Sequence, residues 1–402
     1  MNFTISKRAG TTSLVLLAVG IVLAVIGVIG DHTDHHQYSW AAFYANALFF
    51  FFIALGTLFF YALNNITETA WTVLVRRVYE AIFSYVPLGA MLVLVALVAG
   101  SLGLNHIWPW MDGRTLDTTD VNHYDAHIAL LSPYLNLPFF WVRAVLFMGT
   151  FIYFARWFRA QSLRMDQVGS DGLLKEHLTM YNRSIGFMVL FAFFSSVLAW
   201  DWIMCIDVHW KSALFGWYVF AGMWIGGMVT AVIIVLYLKG KGYLPQVNGS
   251  HIQDMGKWVF AVSFLWSYLY FAQFLLTWYA NIPEEGTYFK VRIDHHSWLV
   301  WGMYFINFAL PMVLLMSRDT KRNPKFLIGV GAIIFIGHWL DMIQMIMPGS
   351  LGHHFECVGM VEIGFFIAFL GLFIRTVLGA LAKAPLTVVH HPFLEESVHH
   401  QI

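Results

Sequence analysis

Ten separate stretches of mostly apolar residues, each about 20 long, recur along this chain of 402 residues, and a helix of ~20 residues rising 1.5 Å per residue matches the ~30 Å hydrocarbon core of a bilayer. They fall at about 12–29, 38–63, 82–104, 138–158, 184–206, 213–238, 257–279, 297–316, 326–347 and 359–381. Hydrophobic residues make up 59% of the chain and charged residues only 11%, against ~25% charged in soluble domains. The pattern predicts an all-α integral membrane protein with ten transmembrane helices. The run from Thr12 to Ile29 follows Lys7-Arg8 and has no small-x-small cleavage pattern before Asp31, so it is expected to stay as the first helix. Residues 1–384 would form the membrane domain, with 385–402 a C-terminal tail read as an exposed or frayed arm.

Charge sets the expected orientation. Of the 23 Lys and Arg residues, all but Arg114, Lys211, Lys290, Arg292 and the intrahelical Arg143 fall at one set of helix ends. By the positive-inside rule that set faces the cytoplasm, which places both termini there. The formal net charge is zero, so no basic face is offered to a nucleic acid. The segment from Asn105 to Leu137, with Trp108, Pro109 and Trp110, has the composition of a folded cap on the outer side.

Polar residues inside the apolar runs are the candidates for function, because an ionisable group in hydrocarbon costs at least ~2.5 kcal/mol and is expected to face protein or water. His338, Asp341 and Gln344 recur every third residue and share one broad face of the ninth helix. Counting from the helix ends puts Asp201, Gln273 and Asp341 in the outer third, with Arg143, Glu362 and Asn46 at comparable height. Together they predict a polar chamber able to relay protons, bind a quinone head group, or both. A structural Arg143 ion pair with Asp201 or Asp341 is the plain alternative. Asp201-x-Ile203 matches Asp341-x-Ile343, and Phe43-Tyr44 matches Trp217-Tyr218. Four helices separate each pair, as expected for two tandem four-helix bundles (helices 2–5 and 6–9) with helices 1 and 10 flanking them.

Other chemistry is reduced by what the chain lacks. Two cysteines, Cys205 and Cys357, cannot hold an iron–sulfur cluster, no Cys-x-x-Cys-His attaches haem, and only His338 is deep enough to ligate one in the membrane. Any redox centre is therefore expected in a partner chain. His32, His35, His36, His295, His296, His353 and His354 are read as lying in outer loops, forming a pH-sensitive docking surface rather than a metal site. Glu68 and Glu80 are read as solvated at the inner edge.

Two stretches carry a family resemblance. Trp200-Asp201-Trp202-Ile203-Met204-Cys205-Ile206-Asp207-Val208-His209-Trp210 runs on to Phe215-Gly216-Trp217-Tyr218; Phe264-Leu265-Trp266-Ser267-Tyr268 is followed by Gln273, Trp278-Tyr279-Ala280-Asn281 and Pro283-Glu284-Glu285. Over essentially its whole length the chain resembles the NrfD-like (polysulfide reductase membrane subunit) family, in particular the shorter such subunit of bacterial alternative complex III. The resemblance implies the two four-helix bundles and a bacterial inner-membrane location. It also implies membership of a quinol:electron-acceptor oxidoreductase alongside a second, longer NrfD-like subunit, an iron–sulfur protein and c-type cytochromes. Asp201, Gln273, His338 and Asp341, with Arg143, would be its buried polar set, and menaquinone or ubiquinone and structural lipids its ligands. A scaffold that only seats the cytochromes remains open, as does a secondary transporter, for which Gly222, Gly226 and Gly227 in helix six leave room.

Overall fold

A computed structural model describes residues 3–119, 123–352 and 355–401. Ten helices are long and apolar enough to cross a membrane, and no β-strand occurs among the described residues. They are α1 (Lys7–Ile29), α2 (Gln37–Ile66), α3 (Ala70–Ser101), α4 (Leu137–Met165), α5 (Ser170–Trp202), α6 (Phe215–Gly240), α7 (Gly249–Ala280), α8 (Pro283–Leu314), α9 (Pro324–Leu351) and α10 (Met360–Ala382). Large apolar side chains such as Val22, Val142, Phe193 and Val313 are exposed on the outside of the assembly. Such a surface suggests a multi-pass membrane protein.

Local chemistry sets where the helices begin. Asn136, Asn248 and Asn323 cap α4, α7 and α9, their side chains accepting from Phe139 N, Ser250 N and Lys325 N, and Pro138 and Pro324 occupy first-turn positions that need no N–H donor. The Glu362 carboxylate accepts from Gly359 N at 3.0 Å and closes the start of α10. Helix α8 starts at Pro283 rather than near 297, a shift matched only by the start of α5 at Ser170 rather than 184. The first turns of α8 are polar, but Pro283 followed by Glu284 and Glu285 is a helix-start signal. His295 and His296 consequently lie inside a helix rather than in an outer loop, and His296 is buried at a kink. His353 and His354 lie outside the described residues. Farther along α8, Pro311 cannot bond back to Asn307 and crowds its carbonyl. The chain accommodates this with a π-helical turn over Phe305–Ala309.

The centre of the fold is the crossing of α2 and α6. A Cβ on Gly56 would collide with the Met223 carbonyl, and one on Gly227 would sit 2.7 Å from Thr57 N, so the two backbones approach where only glycine fits. Gly222 and Gly226 meet ordinary or slightly close side-chain contacts, and α6 runs unbroken past all three. Around this seam α2 packs on α3, α5, α9 and α10, and α6 on α5, α7 and α9; α4 joins α3 to α5, and α8 joins α7 to α9. α1 packs along α10, through Gly20 and Gly27 on one side and Gly364 and Gly371 on the other.

Two expectations at the Lys- and Arg-rich end are corrected. Glu80 is not solvated: it is 1% exposed, paired with Arg77 at 2.7 Å and Arg76 at 3.4 Å, and it accepts from Ser162. A carboxylate one turn beyond two arginines on the same helix had the cations needed to be buried. Glu68, bonded to His177, stays half exposed. The tail is not frayed either. Val389 N donates to Asp166, Arg76 meets His391 Nε2 at 3.0 Å, the short helix Leu394–Val398 lies against Ala70–Val75, and His400 meets Asp254 at 2.6 Å. Burial, then the charges of Arg76 and His177, lowers the His391 pKa from 6.5 to about 2. Docking therefore requires neutral imidazole: its stabilisation is complete above pH 6.5 and drains away as pH falls toward 2, because the released tail takes up a proton that the docked tail refuses. Proteolysis of residues 385–401 should accelerate progressively below pH 6.5 in the wild type, with a weaker pH dependence in His391→Asn; a wild-type cleavage rate flat from pH 7 to 4 would contradict the docking geometry.

Candidate functional site

The seven residues singled out from the sequence, with Asn46, are all buried, but they do not share one room. They separate into three groups and one solitary side chain.

The first group lies between α4 and α5. Arg143 Nε donates to Asp201 Oδ2 at 2.6 Å, and the Tyr134 hydroxyl, from the segment leading into α4, donates to Asp201 Oδ1 at 2.9 Å. The guanidinium stacks on Tyr134 and Phe139 at 4.0 and 4.3 Å from the ring centroids. Burial, with Asp201 beside it, pushes the Tyr134 hydroxyl well above the usual phenol range, so it remains a donor. Asp201 thus has a full positive charge on one oxygen and a hydroxyl on the other, and is 1% exposed. This is the ion pair anticipated as the plain alternative.

The second group lies within α6–α9. Asp341, 2% exposed, accepts from the Tyr218 hydroxyl on α6 through Oδ1 and from Trp266 Nε1 on α7 at 3.0 Å through Oδ2. Its nearest potentially charged neighbour is His338 Nδ1, one turn back on α9 at 3.9 Å from Oδ2, beyond hydrogen-bond range. Neither ring nitrogen of His338 has a hydrogen-bond partner, and the ring stands edge-on to Trp266 at 5.2 Å. His338, Asp341 and Gly222 border a cavity of about 20 Å³ closed by Phe52 and Met345, which is room for about one water. Gln344 donates to the Tyr270 hydroxyl at 3.1 Å while its own oxygen is unpaired.

Glu362 and Asn46 form the third group, where α2, α9 and α10 meet. Asn46 accepts from Trp339 Nε1 at 2.8 Å and donates to the Glu362 backbone carbonyl at 3.3 Å. Glu362 spends one carboxylate oxygen on the α10 cap and leaves the other unpaired. Gln273 stands apart, bonded to Leu269 O of its own helix.

The repeat seen in the sequence reappears in these contacts. Each tyrosine of the matched aromatic pairs reaches the matched Asp-x-Ile segment, but Tyr44 donates to the backbone carbonyl of Trp202 at 2.9 Å, whereas the Tyr218 hydroxyl reaches the Asp341 carboxylate itself. One further charged residue was not anticipated. Arg292, 1% exposed on α8, pairs with Asp207 at 2.8 Å, donates to Gln344 O at 3.2 Å and stacks on Tyr288, tying the end of the second group to the α5–α6 junction. The helix-start signal at Pro283 would have placed it on α8 rather than in a loop. No set of three or more His, Cys, Asp and Glu that could hold a metal occurs among the described residues. No protein-family model and no curated protein matches the chain.

The two aspartates therefore predict different consequences of neutralisation. Asp201→Asn strands the Arg143 charge and should destabilise the protein by about 3–5 kcal/mol. Asp341→Asn keeps an acceptor for Trp266 and turns its amide N–H toward the Tyr218 hydroxyl, which can rotate to accept it, and should cost about 1 kcal/mol or less. Unfolding of both variants in bicelles checks the contrast; equal losses would contradict it.

Proposed function

We propose that this chain is an integral membrane subunit of a respiratory quinol:electron-acceptor oxidoreductase of the alternative complex III type, without a redox centre of its own. Its task there is to handle protons near the periplasmic side through the Asp341 group. The observation that carries the proton reading is the company Asp341 keeps. A buried carboxylate held by a hydroxyl and an indole N–H, with no Lys or Arg paired to it among the described residues, can gain or lose a proton without stranding a cation. His338, one turn away beside a cavity the size of a water, can share that proton. Asp201 cannot do the same, because protonating it would leave Arg143 buried without its counter-charge.

The dimensions beside Asp341 favour protons over a quinone head group at that site. A cavity of about 20 Å³ beside Asp341 is far below the ~300 Å³ at which small-molecule pockets begin. Any menaquinone or ubiquinone head group is accordingly assigned to a surface shared with a partner subunit. Arg143–Asp201 and Arg292–Asp207 favour a scaffolding role for the remainder of the chain, and the two roles are compatible. In this reading α2–α5 and α6–α9 are two four-helix bundles joined at the Gly56–Gly227 crossing, with α1 and α10 flanking. The Arg- and Lys-rich end faces the cytoplasm of a bacterial inner membrane, and haem and iron–sulfur clusters reside in partner chains alongside a second, longer NrfD-like subunit. The complex carrying Asp341→Asn should assemble normally but lose proton-coupled quinol turnover by about 10²-fold, measured as acidification by proteoliposomes supplied with quinol. Unchanged turnover and acidification would overturn the assignment.

A further inference from the structure

A second cavity, unconnected to the polar groups, runs along the outside of α6, α9 and α10. It has a volume of about 290 Å³ and is bordered by Ile234, Ala332, Phe335, Phe366, Leu370 and Leu378 among others. From Phe366 to Leu378 it follows α10 for ~18 Å, parallel to the helices. Its one polar lining residue, Thr230, turns its hydroxyl back onto Gly226 O at 2.7 Å, so the wall presents only hydrocarbon. The trough exists because α10 is held from elsewhere: Gly364 and Gly371 lock it against α1, it packs on α2 and α3, and it meets α9 at the outer end through Phe366 against Trp339, leaving a gap toward α6 below that contact.

The ends of the lining helices indicate what fills that gap. Lys241 stands about two turns beyond Ile234 on α6, and Lys325 about two turns before Ala332 on α9. The seven-residue spacing puts each lysine on the same helix face as its trough residue, ~10 Å farther toward the basic end. Both lysines are exposed, and neither is paired with a carboxylate among the described residues. An apolar slot at mid-depth with two unpaired cations at its mouth matches one class of molecule, a hydrocarbon chain ending in a negative charge.

We propose that the α6–α9–α10 trough is a binding site for one anionic phospholipid of the basic-end leaflet, with an acyl chain seated between Ala332 and Leu370 and the phosphate held by Lys241 and Lys325. The site rests on the membrane-spanning reading alone, so it stands or falls independently of Asp341 and of the respiratory assignment. An apolar cavity of this size does not retain water, and the lipid would complete the packing between α10 and the second bundle.

The full chain in nanodiscs of phosphatidylcholine with a minor fraction of phosphatidylglycerol, ejected and analysed by native mass spectrometry, tests this. One phosphatidylglycerol per chain should survive stripping. Lys241→Gln and Lys325→Gln should each weaken its retention about fivefold, the effect of one lysine near an anionic headgroup, and Ala332→Trp, which fills the trough, should abolish it. Because the lysine variants alter no buried contact, they report even if Ala332→Trp fails to fold. Equal retention of phosphatidylcholine, retention indifferent to both lysines, or a co-purified quinone displaced by Ala332→Trp would each overturn the proposal.

Discussion

Everything in this molecule is hung on the approach of two glycines. At Gly56 and Gly227 the backbones of α2 and α6 come so close that no Cβ fits between them. Without water to drive apolar surfaces together in a bilayer, helices associate through such close packing and through hydrogen bonds across the contact. With α2 and α6 locked, α9 packs into the angle between them. That brings Asp341 against Tyr218, and Trp339 against Asn46. Larger residues at these positions would separate the halves of the protein and, with them, the donors from their acceptors.

Three buried carboxylates then illustrate three solutions to one electrostatic problem. Glu80 is neutralised by two arginines on its own helix, and Asp201 by one arginine on a neighbouring helix. Asp341 is held by neutral donors alone, with a histidine just out of reach. Pairing with a permanent cation suits a group that must stay charged. Neutral donors suit one whose charge must change. The internal repeat placed an aspartate at the same point of both halves, and the partners those aspartates acquired differ: a guanidinium for Asp201, and a hydroxyl and an indole N–H for Asp341, the difference on which the proposed proton role rests.

Much of this was legible in the sequence, and the illegible part has a common cause. Ten apolar runs marked ten helices, and intramembrane polarity marked Arg143, Asp201, His338 and Asp341 before any contact was known. Counting residues from a helix end yields depth, however, and not azimuth. Residues at one level were expected in one chamber, whereas they face three different junctions. Azimuth also hid the burial of Glu80, since a helix end at the membrane edge is solvated only if nothing covers it. The cover is partly the tail, whose histidines and short Leu394–Val398 helix resemble any polar terminus until Arg76, Asp166 and Asp254 are in place to receive them. Polar first turns concealed the start of α8, and with it Arg292.

The central claim is that Asp341, and not Asp201, changes its protonation. Infrared difference spectroscopy of the assembled complex cycled between acid and alkaline pH reads this directly, because a carboxylic acid C=O stretch appears only when a carboxylate takes up a proton. The account predicts a pH-dependent carboxyl band that disappears in Asp341→Asn and persists in Asp201→Asn. A band that survives in Asp341→Asn and vanishes in Asp201→Asn would contradict it.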